Sequence, residues 1–366
     1  MENEPIRILN IVPNMRAAGI ETFIMNVYRN IDRNKVQFDF LVHNQKEEFY
    51  DKEINNLGGR IYRLTYIDDK NIFKYIKDLN NFFKEHKEYK IVHGHMQSMM
   101  PLYLCIAKKN KVPVRIAHSH NGSYEKTIKG YILHVFSRFS KYFSTCNWAC
   151  SKVAGKYLFG KKKFEIVYNG IDTNKFQFNP KIRKNKRNEL NIKESEFVIG
   201  HIGRFELQKN HKFIIKLLNE LYKDNKNIKL LLIGIGKYKN DMEKKVKELN
   251  LEKNIVFLGT RNDVDELYQA MDCFILPSLY EGLPLVGVEA QINNLYCLFS
   301  NTITKELKIS EKSYYLNINN LNEWKNKISE IQLLDRQKLY EINVKKFDIT
   351  EISKKIQERY INYGKK

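Results

Sequence analysis

Cysteine is scarce in this chain, and none of it is spaced as a metal-binding or redox pair. The five cysteines are odd in number, stand mostly inside apolar runs and show no CxxC spacing. This pattern argues against a disulfide framework and predicts buried, reduced thiols in a cytoplasmic protein.

Long apolar runs are also missing. No stretch approaches the ~20 residues that a membrane-spanning helix needs, and the first residues, MENEPIRILNIV, lead directly into a strand pattern. We therefore expect no signal peptide and no membrane span. Any membrane contact is expected to be peripheral, on the inner face of the cell membrane.

Acidic residues are outnumbered: 42 Asp and Glu face 63 Lys and Arg, which gives a formal net charge of +21. Such an excess attracts polyanions, whether nucleic acid, an anionic membrane or a phosphate-bearing substrate. Part of the lysine content is equally explained by an overall Asn/Lys/Ile-rich composition. Because no nucleic-acid-binding motif or aromatic-basic interleaving is present, we expect no nucleic-acid partner.

The 366 residues suffice for two domains. Apolar β-branched runs alternate with helix-period segments, a pattern typical of doubly wound parallel sheets, and a polar, basic stretch around Pro180 interrupts it. The predicted fold is α/β, with two Rossmann-like domains facing across a cleft. The predicted boundaries are domains over 1–174 and 195–345, a linker over 175–194, and a C-terminal helix over 346–366 that returns to the first domain.

One segment, Glu281 to Gln291 (EGLPLVGVEAQ), follows a buried strand and predicts a helix that begins near Pro284. Two carboxylates, Glu281 and Glu289, bracket the helix start. Free N–H groups and the positive end of the helix dipole suit a phosphorylated ligand that also carries hydroxyl groups. On these residues alone, helix capping by Glu281 and a surface position for Glu289 remain equally open.

The second half of the chain opens with FVIGHIGRFELQKNH. Gly203 ends a predicted strand, Arg204 follows on its exit loop, and Lys209 stands just before a helix. A strand-end glycine lets the backbone approach a ligand, while arginine and lysine contact neighbouring phosphates. This spacing favours a diphosphate-binding site over the alternative that Arg204 and Lys209 are ordinary surface residues.

Gly203, Arg204 and Lys209 followed by EGLPLVGVEA resemble the retaining GT-B glycosyltransferases of family four. Among these, the sequence is most similar to the bacterial enzymes that build capsular polysaccharide, exopolysaccharide or O-antigen repeat units. The resemblance covers nearly the whole chain and includes AGIE from Ala18, VYNGID from Val167 and LIGIG from Leu232.

The resemblance implies a transferase that moves a hexose or N-acetylhexosamine from a nucleoside-diphosphate sugar, expected to be a UDP-sugar. The expected acceptor is a polyprenyl-diphosphate-linked glycan, with a soluble or protein acceptor as the alternative. Arg204 and Lys209 would bind the diphosphate, Glu281 the sugar hydroxyls and Glu289 the ribose. Further substrate contacts are implied for Gly19, Gly203, Asn169, Arg261, Gly282, Leu283 and Pro284.

Four histidines of the first domain, His93, His95, His118 and His120, form two pairs near the ends of two predicted strands. Residues two apart on a strand share a face, so each pair should point the same way. The resemblance places a histidine beside the reacting sugar, and His120 fits that role slightly better than His118. A structural role for each of them stays open.

No metal or other cofactor is expected. The chain lacks an Asp-x-Asp motif after a strand, and we interpret Asp68 and Asp69 as surface residues. In a retaining enzyme without a covalent nucleophile, a phosphate oxygen of the donor takes the acceptor's proton, which is what the resemblance implies here.

A basic amphipathic helix is predicted near residues 126–143. It could rest on an anionic membrane surface or pack on the sheet with basic flanks. Its apolar stripe comprises Ile128, Tyr131, Ile132, Val135, Phe136, Phe139 and Tyr142, and its flanks comprise Lys126, Lys129, Arg138 and Lys141.

Two other functions compete with a transferase. Gly234-Ile235-Gly236 follows a strand, as in nucleotide-dependent oxidoreductases, but the third glycine of that fingerprint is missing. The net charge alone would suit a nucleic-acid binder.

Overall fold

The structure is a computed structural model that describes residues 4–65, 71–122, 127–336, 338, 342 and 344–365. The chain divides into two compact units, one of residues 1–171 with 345–366 and the other of residues 172–344. Asp68 and Asp69, interpreted above as surface residues, and Lys126 of the predicted basic helix lie outside the described residues.

The first unit contains a seven-stranded sheet in the order β3-β2-β1-β4-β5-β6-β7, with every neighbouring pair parallel. The central strands are buried along most of their length, as expected for a sheet covered on both faces. The strands are β1 Ile6–Ile11, β2 Val36–Val42, β3 Ile61–Arg63, β4 Ile91–Gly94, β5 Val114–Ser119, β6 Cys146–Ala149 and β7 Glu165–Ile166.

Helices cover both faces of this sheet. The C-terminal helix belongs to this unit, where Ile349, Ile352, Ile356 and Tyr360 join the same apolar layer as Phe23. The helices are α1 Gly19–Asn30, α2 Asp51–Asn56, α3 Ile72–Glu85, α4 Met100–Lys109, α5 Ile128–Ser137, α6 Ser140–Phe143, α7 Lys152–Phe159 and α14 Ile349–Gly364.

The second unit contains a six-stranded parallel sheet in the order β10-β9-β8-β11-β12-β13. Its strands are β8 Phe197–Ile202, β9 Ile228–Ile233, β10 Ile255–Gly259, β11 Cys273–Leu276, β12 Tyr296–Ser300 and β13 Ser313–Leu316. Its helices are α8 Pro180–Glu189, α9 His211–Asp224, α10 Lys239–Glu248, α11 Val264–Ala270, α12 Leu285–Ile292 and α13 Leu321–Ile331.

Half of the stretch expected as a linker, residues 175–194, is instead helix α8, which packs against α11 within the second unit. Three of the five basic residues of α8 form ion pairs within this unit. Arg183 and Arg187 contact Asp272 at 2.6 and 3.3 Å, and Lys186 contacts Asp263 at 2.8 Å. The basic composition that suggested a linker therefore includes residues whose ion pairs hold α8 to its own unit.

In each sheet, the strand order reverses at one place. This point lies between β1 and β4 in the first unit and between β8 and β11 in the second. In open parallel sheets of this kind, ligands bind beside such a point, at the carboxyl ends of the strands. The loops that follow β8 and β11 are therefore the expected position of a ligand site in the second unit.

Candidate active site

The loops after β8 and β11 are joined to each other by hydrogen bonds. The backbone N–H of Leu279 donates to the carbonyl of Gln208 at 2.8 Å, and the Gln208 side chain donates to the carbonyl of Tyr280 at 2.8 Å. These bonds fix the position of Glu281 relative to the residues that follow β8.

Lys209 and Glu281 form an ion pair across these loops. The Nζ of Lys209 lies 2.7 Å from Oε1 of Glu281, and their side chains are only 16% and 10% exposed. Two charges this far withdrawn from water each need a partner, because an unpaired charge in such a place costs several kcal/mol. The predicted phosphate-binding lysine and the predicted sugar-binding carboxylate are thus neighbours.

Gly203 leaves room for the side chain of Lys209 in this arrangement. A Cβ atom at this position would meet Cδ of Lys209 at 3.0 Å and Nε2 of His201 at 3.1 Å. The stem of Lys209 therefore lies across Gly203 on its way to Glu281. A larger residue directly after β8 would push the lysine stem aside by a few tenths of an ångström, which gives this glycine a structural reason beyond ligand approach.

Arg204 extends from the same loop and is exposed. Among the described residues, no carboxylate forms an ion pair with it, whereas Lys209 is paired. Its guanidinium is available to an anion without first breaking a contact.

Gly282, Leu283 and Pro284 lead from Glu281 into α12. Leu283 and Pro284 are buried, and Pro284 has extended backbone angles at the cap position, where no side chain of the described residues caps the helix. The first N–H groups of a helix lack partners within the helix. The start of α12 therefore offers donors next to Glu281.

Glu289 lies within α12 and receives a hydrogen bond from Tyr268, a residue of α11. The Tyr268 hydroxyl is 2.9 Å from Oε2 of Glu289 and 3.0 Å from the carbonyl of Val286. Burial raises the pKa of Glu289 to about 7, and the Tyr268 hydroxyl opposes this rise. Sequence reasoning missed Tyr268, because a buried aromatic residue on a short helix has the same pattern as an ordinary core residue.

The side chain of Arg261 is engaged in ion pairs. It contacts Asp263 at 2.6 Å and Glu189 at 3.2 Å, beside the ion pairs of Lys186. The contact predicted from the resemblance involves the main chain at Arg261, two residues after Gly259, whose φ of +64° favours glycine. The side-chain pairing fixes this loop and leaves that prediction open.

In the first unit, the four histidines form one buried cluster at the ends of β4 and β5. The ring centroids within each predicted pair are 4.0 Å apart for His93 and His95 and 4.1 Å apart for His118 and His120, so each pair does point the same way. Hydrogen bonds link the pairs, with 3.1 Å between His93 and His118 and 2.9 Å between His95 and His120. Phe23 of α1 packs against His118 and His120.

Gly19 and Asn169 occupy other parts of the first unit. Gly19 begins α1, and a Cβ atom there would meet nothing within 4 Å. Asn169 is buried and follows β7, next to Gly170, where a Cβ atom would meet Ile349 of α14 at 2.8 Å. Packing against α14 explains Gly170, while substrate contacts by Gly19 and Asn169 remain predictions.

Within the described ranges of the chain, two groups of side chains have the spacing of metal ligands. His93, His95 and His118 offer nitrogens within 4.8 Å of one another, but these rings already share hydrogen bonds. The second group, Glu189, Asp263 and Glu266, surrounds Lys186, whose ammonium group occupies its centre. The expectation that no metal is required stays a prediction.

The glycines that suggested an oxidoreductase have a packing role. Gly234 and Gly236 have φ values of +138° and +156°, and Cβ atoms there would meet the carbonyl of Gly203 at 2.3 Å and the backbone of Phe205 at 2.7 Å. They allow the loop after β9 to lie directly against the loop after β8. These glycines therefore allow the close backbone packing that positions the loop containing Lys209.

Comparisons with known proteins agree with this geometry. The model for Glycosyltransferase Family 4 matches residues 17–175, and the model for Glycosyl transferases group 1 matches residues 182–343. The chain is 35% identical over 315 residues to a Bacillus subtilis (strain 168) protein named as glycosyltransferase EpsF, a match that covers 84% of this chain and 82% of the relative.

A second relative is the Escherichia coli UDP-Gal:alpha-D-GlcNAc-diphosphoundecaprenol alpha-1,3-galactosyltransferase, with 29% identity over 245 residues and 63% of each chain covered. Among solved structures, Anabaena Alr3699/HepE in complex with UDP and glucose superposes with a TM-score of 0.79 at 17% identity, covering 97% of this chain and 99% of the other. The structural likeness shows that the two parallel-sheet units have the GT-B fold. By sequence, the chain belongs to the glycosyltransferases of family four, with a group 1 glycosyl transferase region as its second unit.

Proposed function

We propose that this glycosyltransferase moves a hexose or N-acetylhexosamine from a UDP-sugar to a lipid-linked glycan during surface polysaccharide synthesis, with retention of the anomeric configuration. The observation that carries the proposal is the contact of Lys209 with Glu281 over Gly203. It sets a cation for phosphate beside a carboxylate for hydroxyl groups, at the place where parallel sheets bind ligands.

The donor would lie along the loops after β8 and β11. Arg204 and Lys209 bind the diphosphate, and the uncapped start of α12 supplies backbone donors. Glu281 accepts from sugar hydroxyls, and Glu289 accepts from the ribose. The choice of a UDP-sugar is supported by the UDP in the HepE structure and by the UDP-galactose donor in the name of the E. coli relative.

Chemistry at this site rests on charge rather than on a protein base. As the bond to the diphosphate breaks, negative charge develops on the leaving group, and fixed cations stabilise it. Both candidate carboxylates are engaged, Glu281 by Lys209 and Glu289 by Tyr268. We therefore assign proton acceptance from the incoming hydroxyl to a phosphate oxygen of the donor, which fits attack on the face that the leaving group vacates.

A lipid-linked acceptor requires approach to a membrane surface, and the first unit carries a suitable face. Within the part of the chain that the structure describes, no helix is long and apolar enough to cross a membrane. The stripe predicted for residues 128–142 is exposed to solvent, since Ile128 is 83% exposed and Ile132 is 60% exposed.

Basic side chains surround this apolar face. Lys129 lies on α5, the Arg138 side chain reaches Gly160, and Lys162 donates to the carbonyl of Lys141. An apolar face with basic neighbours matches the interface of an anionic bilayer. We assign peripheral membrane docking to this face, which we name the α5–α6 face (residues 128–142).

A transfer assay tests the proposal. UDP-glucose, UDP-galactose, UDP-N-acetylglucosamine and UDP-N-acetylgalactosamine are each supplied with undecaprenyl-diphosphate-linked N-acetylglucosamine, and the product linkage is determined by NMR. We expect one UDP-sugar to give an α-linked product. A β-linked product would contradict retention, and transfer only to soluble sugars would contradict the lipid-linked acceptor.

A further inference from the structure

Most of the exposed apolar side chains of the second unit lie around the candidate active site. Within the described part of this unit, two of the large apolar side chains that are exposed, Leu333 and Leu334, follow α13. The others lie on the loops at the carboxyl ends of β8, β9 and β11, and they are Leu207, Ile235, Leu279 and Tyr280. Exposed apolar side chains that cluster beside a polar site indicate that another molecule binds there.

Three of these side chains are brought together at Gln208. Leu207 directly precedes Gln208 in the chain. The backbone N–H of Leu279 donates to the carbonyl of Gln208, and the side-chain amide of Gln208 donates to the carbonyl of Tyr280, both at 2.8 Å. Leu207, Leu279 and Tyr280 are therefore neighbours in space, and we name these three residues the apolar platform.

Ion pairs flank the apolar platform on both of its loops. Glu206 precedes it on one loop and pairs with Lys237 at 3.7 Å, and Glu281 follows it on the other loop and pairs with Lys209 at 2.7 Å. An apolar surface of three side chains between two ion pairs is too small for an isoprenoid chain or a protein helix. It matches a single pyranose ring, which has an apolar C–H face and hydroxyl groups around its edge.

Tyr280 has the exposure that packing against a sugar needs. Its side chain is 37% exposed, and among the described residues only its backbone carbonyl is engaged, by Gln208. The face of an aromatic ring is negatively polarised and attracts the weakly positive C–H groups of a sugar. A tyrosine also loses little conformational freedom on binding, because its side chain has two torsions. The ring of Tyr280 can therefore receive a ligand without first breaking a contact.

We propose that the apolar platform binds the C–H face of a pyranose ring, with Tyr280 as the stacking residue and Leu207 and Leu279 beside it. The identity of the ligand rests on the proposed function. The ring belongs to the donor sugar or to the acceptor sugar, which share this chemistry. Because Glu281 directly follows Tyr280, the platform adds packing against the ring to the hydroxyl contacts of the carboxylate.

Saturation-transfer NMR tests the platform without a nucleotide. The probes are the methyl α-glycosides of glucose, galactose, N-acetylglucosamine and N-acetylgalactosamine. With native protein and with Tyr280→Phe, saturation should reach mainly the C–H protons on one face of the ring of at least one probe. Tyr280→Ser should lose this transfer, and the control Leu333→Ser, at an 87% exposed leucine, should keep it. Equal transfer with native protein and Tyr280→Ser, or no transfer to any probe, would overturn the proposal.

Kinetics identify which sugar binds. Tyr280→Ser should raise one KM about three- to tenfold, as expected for the loss of one aromatic contact. A rise for the UDP-sugar assigns the platform to the donor, and a rise for the lipid-linked glycan assigns it to the acceptor. Inhibition by UDP should stay unchanged, because UDP carries no pyranose ring, and Tyr280→Phe should restore the native KM. Native KM values for both substrates in Tyr280→Ser would refute the contact.

Two further outcomes separate the possible failures. If Leu207→Ser with Tyr280→Ser weakened binding to phosphatidylglycerol vesicles and left saturation transfer to the glycosides unchanged, the platform would contact lipid and the proposal would fail. If native protein bound the methyl glycosides through Tyr280 but bound no UDP-sugar, the proposed function would fail while the sugar-binding platform would stand.

Discussion

The Nζ of Lys209 lies 2.7 Å from Oε1 of Glu281, with the lysine stem across Gly203. The pair joins the two loops that follow the central strands of the second unit. It also means that a donor must enter a site where the opposing charges already contact each other, so both residues should respond to the donor together.

Replacing either member of this pair should affect stability and activity differently. Lys209→Ala and Glu281→Ala each leave a largely buried charge without a partner, and the double variant removes both charges. We expect the double variant to be less destabilised than the sum of the single ones, by about 1 kcal/mol, in urea unfolding. Additive losses would show that the pair is not coupled.

Both single variants should also lose about 100-fold or more in kcat, as when one group that stabilises transition-state charge is removed. Lys212→Ala serves as the matched control, since Lys212 is an exposed lysine of α9. Equal rates for Lys209→Ala and Lys212→Ala would show that Lys209 has no part in transfer.

Gly203→Ala should act through Lys209. The added methyl group would meet the lysine stem at 3.0 Å, so the ammonium group should move from its place. We expect a large fall in kcat, and little further loss when Lys209→Ala is added to Gly203→Ala. Independent, multiplying losses in the double variant would rule out this route.

Donor binding should depend on the ionisation of Glu289. Its pKa is raised to about 7, and the ribose contact needs the charged form as acceptor. The KM for the UDP-sugar, which has no titrating phosphate in this range, should rise up to tenfold per pH unit as the pH falls below 7. Glu289→Gln should flatten this profile, and an unchanged profile would exclude Glu289.

Glu289 also affects the stability of the fold, but here the protonated form is the favourable one. The folded state binds this proton more tightly than the unfolded state, whose pKa stays near the ordinary value of 4.5. The free energy of unfolding should therefore decrease as the pH rises from about 4.5 to about 7. Urea unfolding of native protein and Glu289→Gln across this window isolates the contribution.

Tyr268→Phe should raise the KM for the UDP-sugar about five- to tenfold with kcat unchanged, because one hydrogen bond to Glu289 is lost. The pKa of Glu289 should rise further, which shifts the pH profile towards higher pH. Tyr315→Phe is a matched control, since that hydroxyl donates to the carbonyl of Thr304 at 2.7 Å. Similar kinetic effects of both substitutions would indicate a general loss of stability.

The α5–α6 face should bind anionic membranes. Ile128→Ser with Ile132→Ser should weaken sedimentation with phosphatidylglycerol vesicles, and phosphatidylcholine vesicles should bind little native protein. Phe73→Ser is the control, because Phe73 is an apolar residue on α3 with 85% exposure. Equal losses from the control and the test variant would argue against a specific face.

Much of the fold could be predicted from the sequence. Apolar runs of four to seven residues, bounded by polar loops, marked the parallel strands, because strands buried on both faces need continuous apolar sequence. The linker prediction was wrong over α8, since sequence does not show that Arg183 and Arg187 have Asp272 as a partner.

The candidate site was predictable only in part. Gly203, Lys209 and Glu281 stand in a recognisable pattern, and the structure brings them together. Tyr268 was not predictable, because its role depends on a hydrogen bond to Glu289, which lies on another helix. The exposure of the α5–α6 face could not be decided either, since amphipathic patterns suit both a sheet and a membrane.

Binding of UDP-sugars, measured by thermal shift, tests the central claim most directly. We expect a UDP-hexose to raise the melting temperature of the native protein and of Lys212→Ala, because ligands stabilise the state that they bind. GDP- and ADP-linked sugars should give smaller shifts, and Lys209→Ala should give little or none with UDP-hexose. Equal stabilisation of Lys209→Ala and Lys212→Ala by the UDP-hexose would contradict the assignment of the donor site to Lys209 and Glu281.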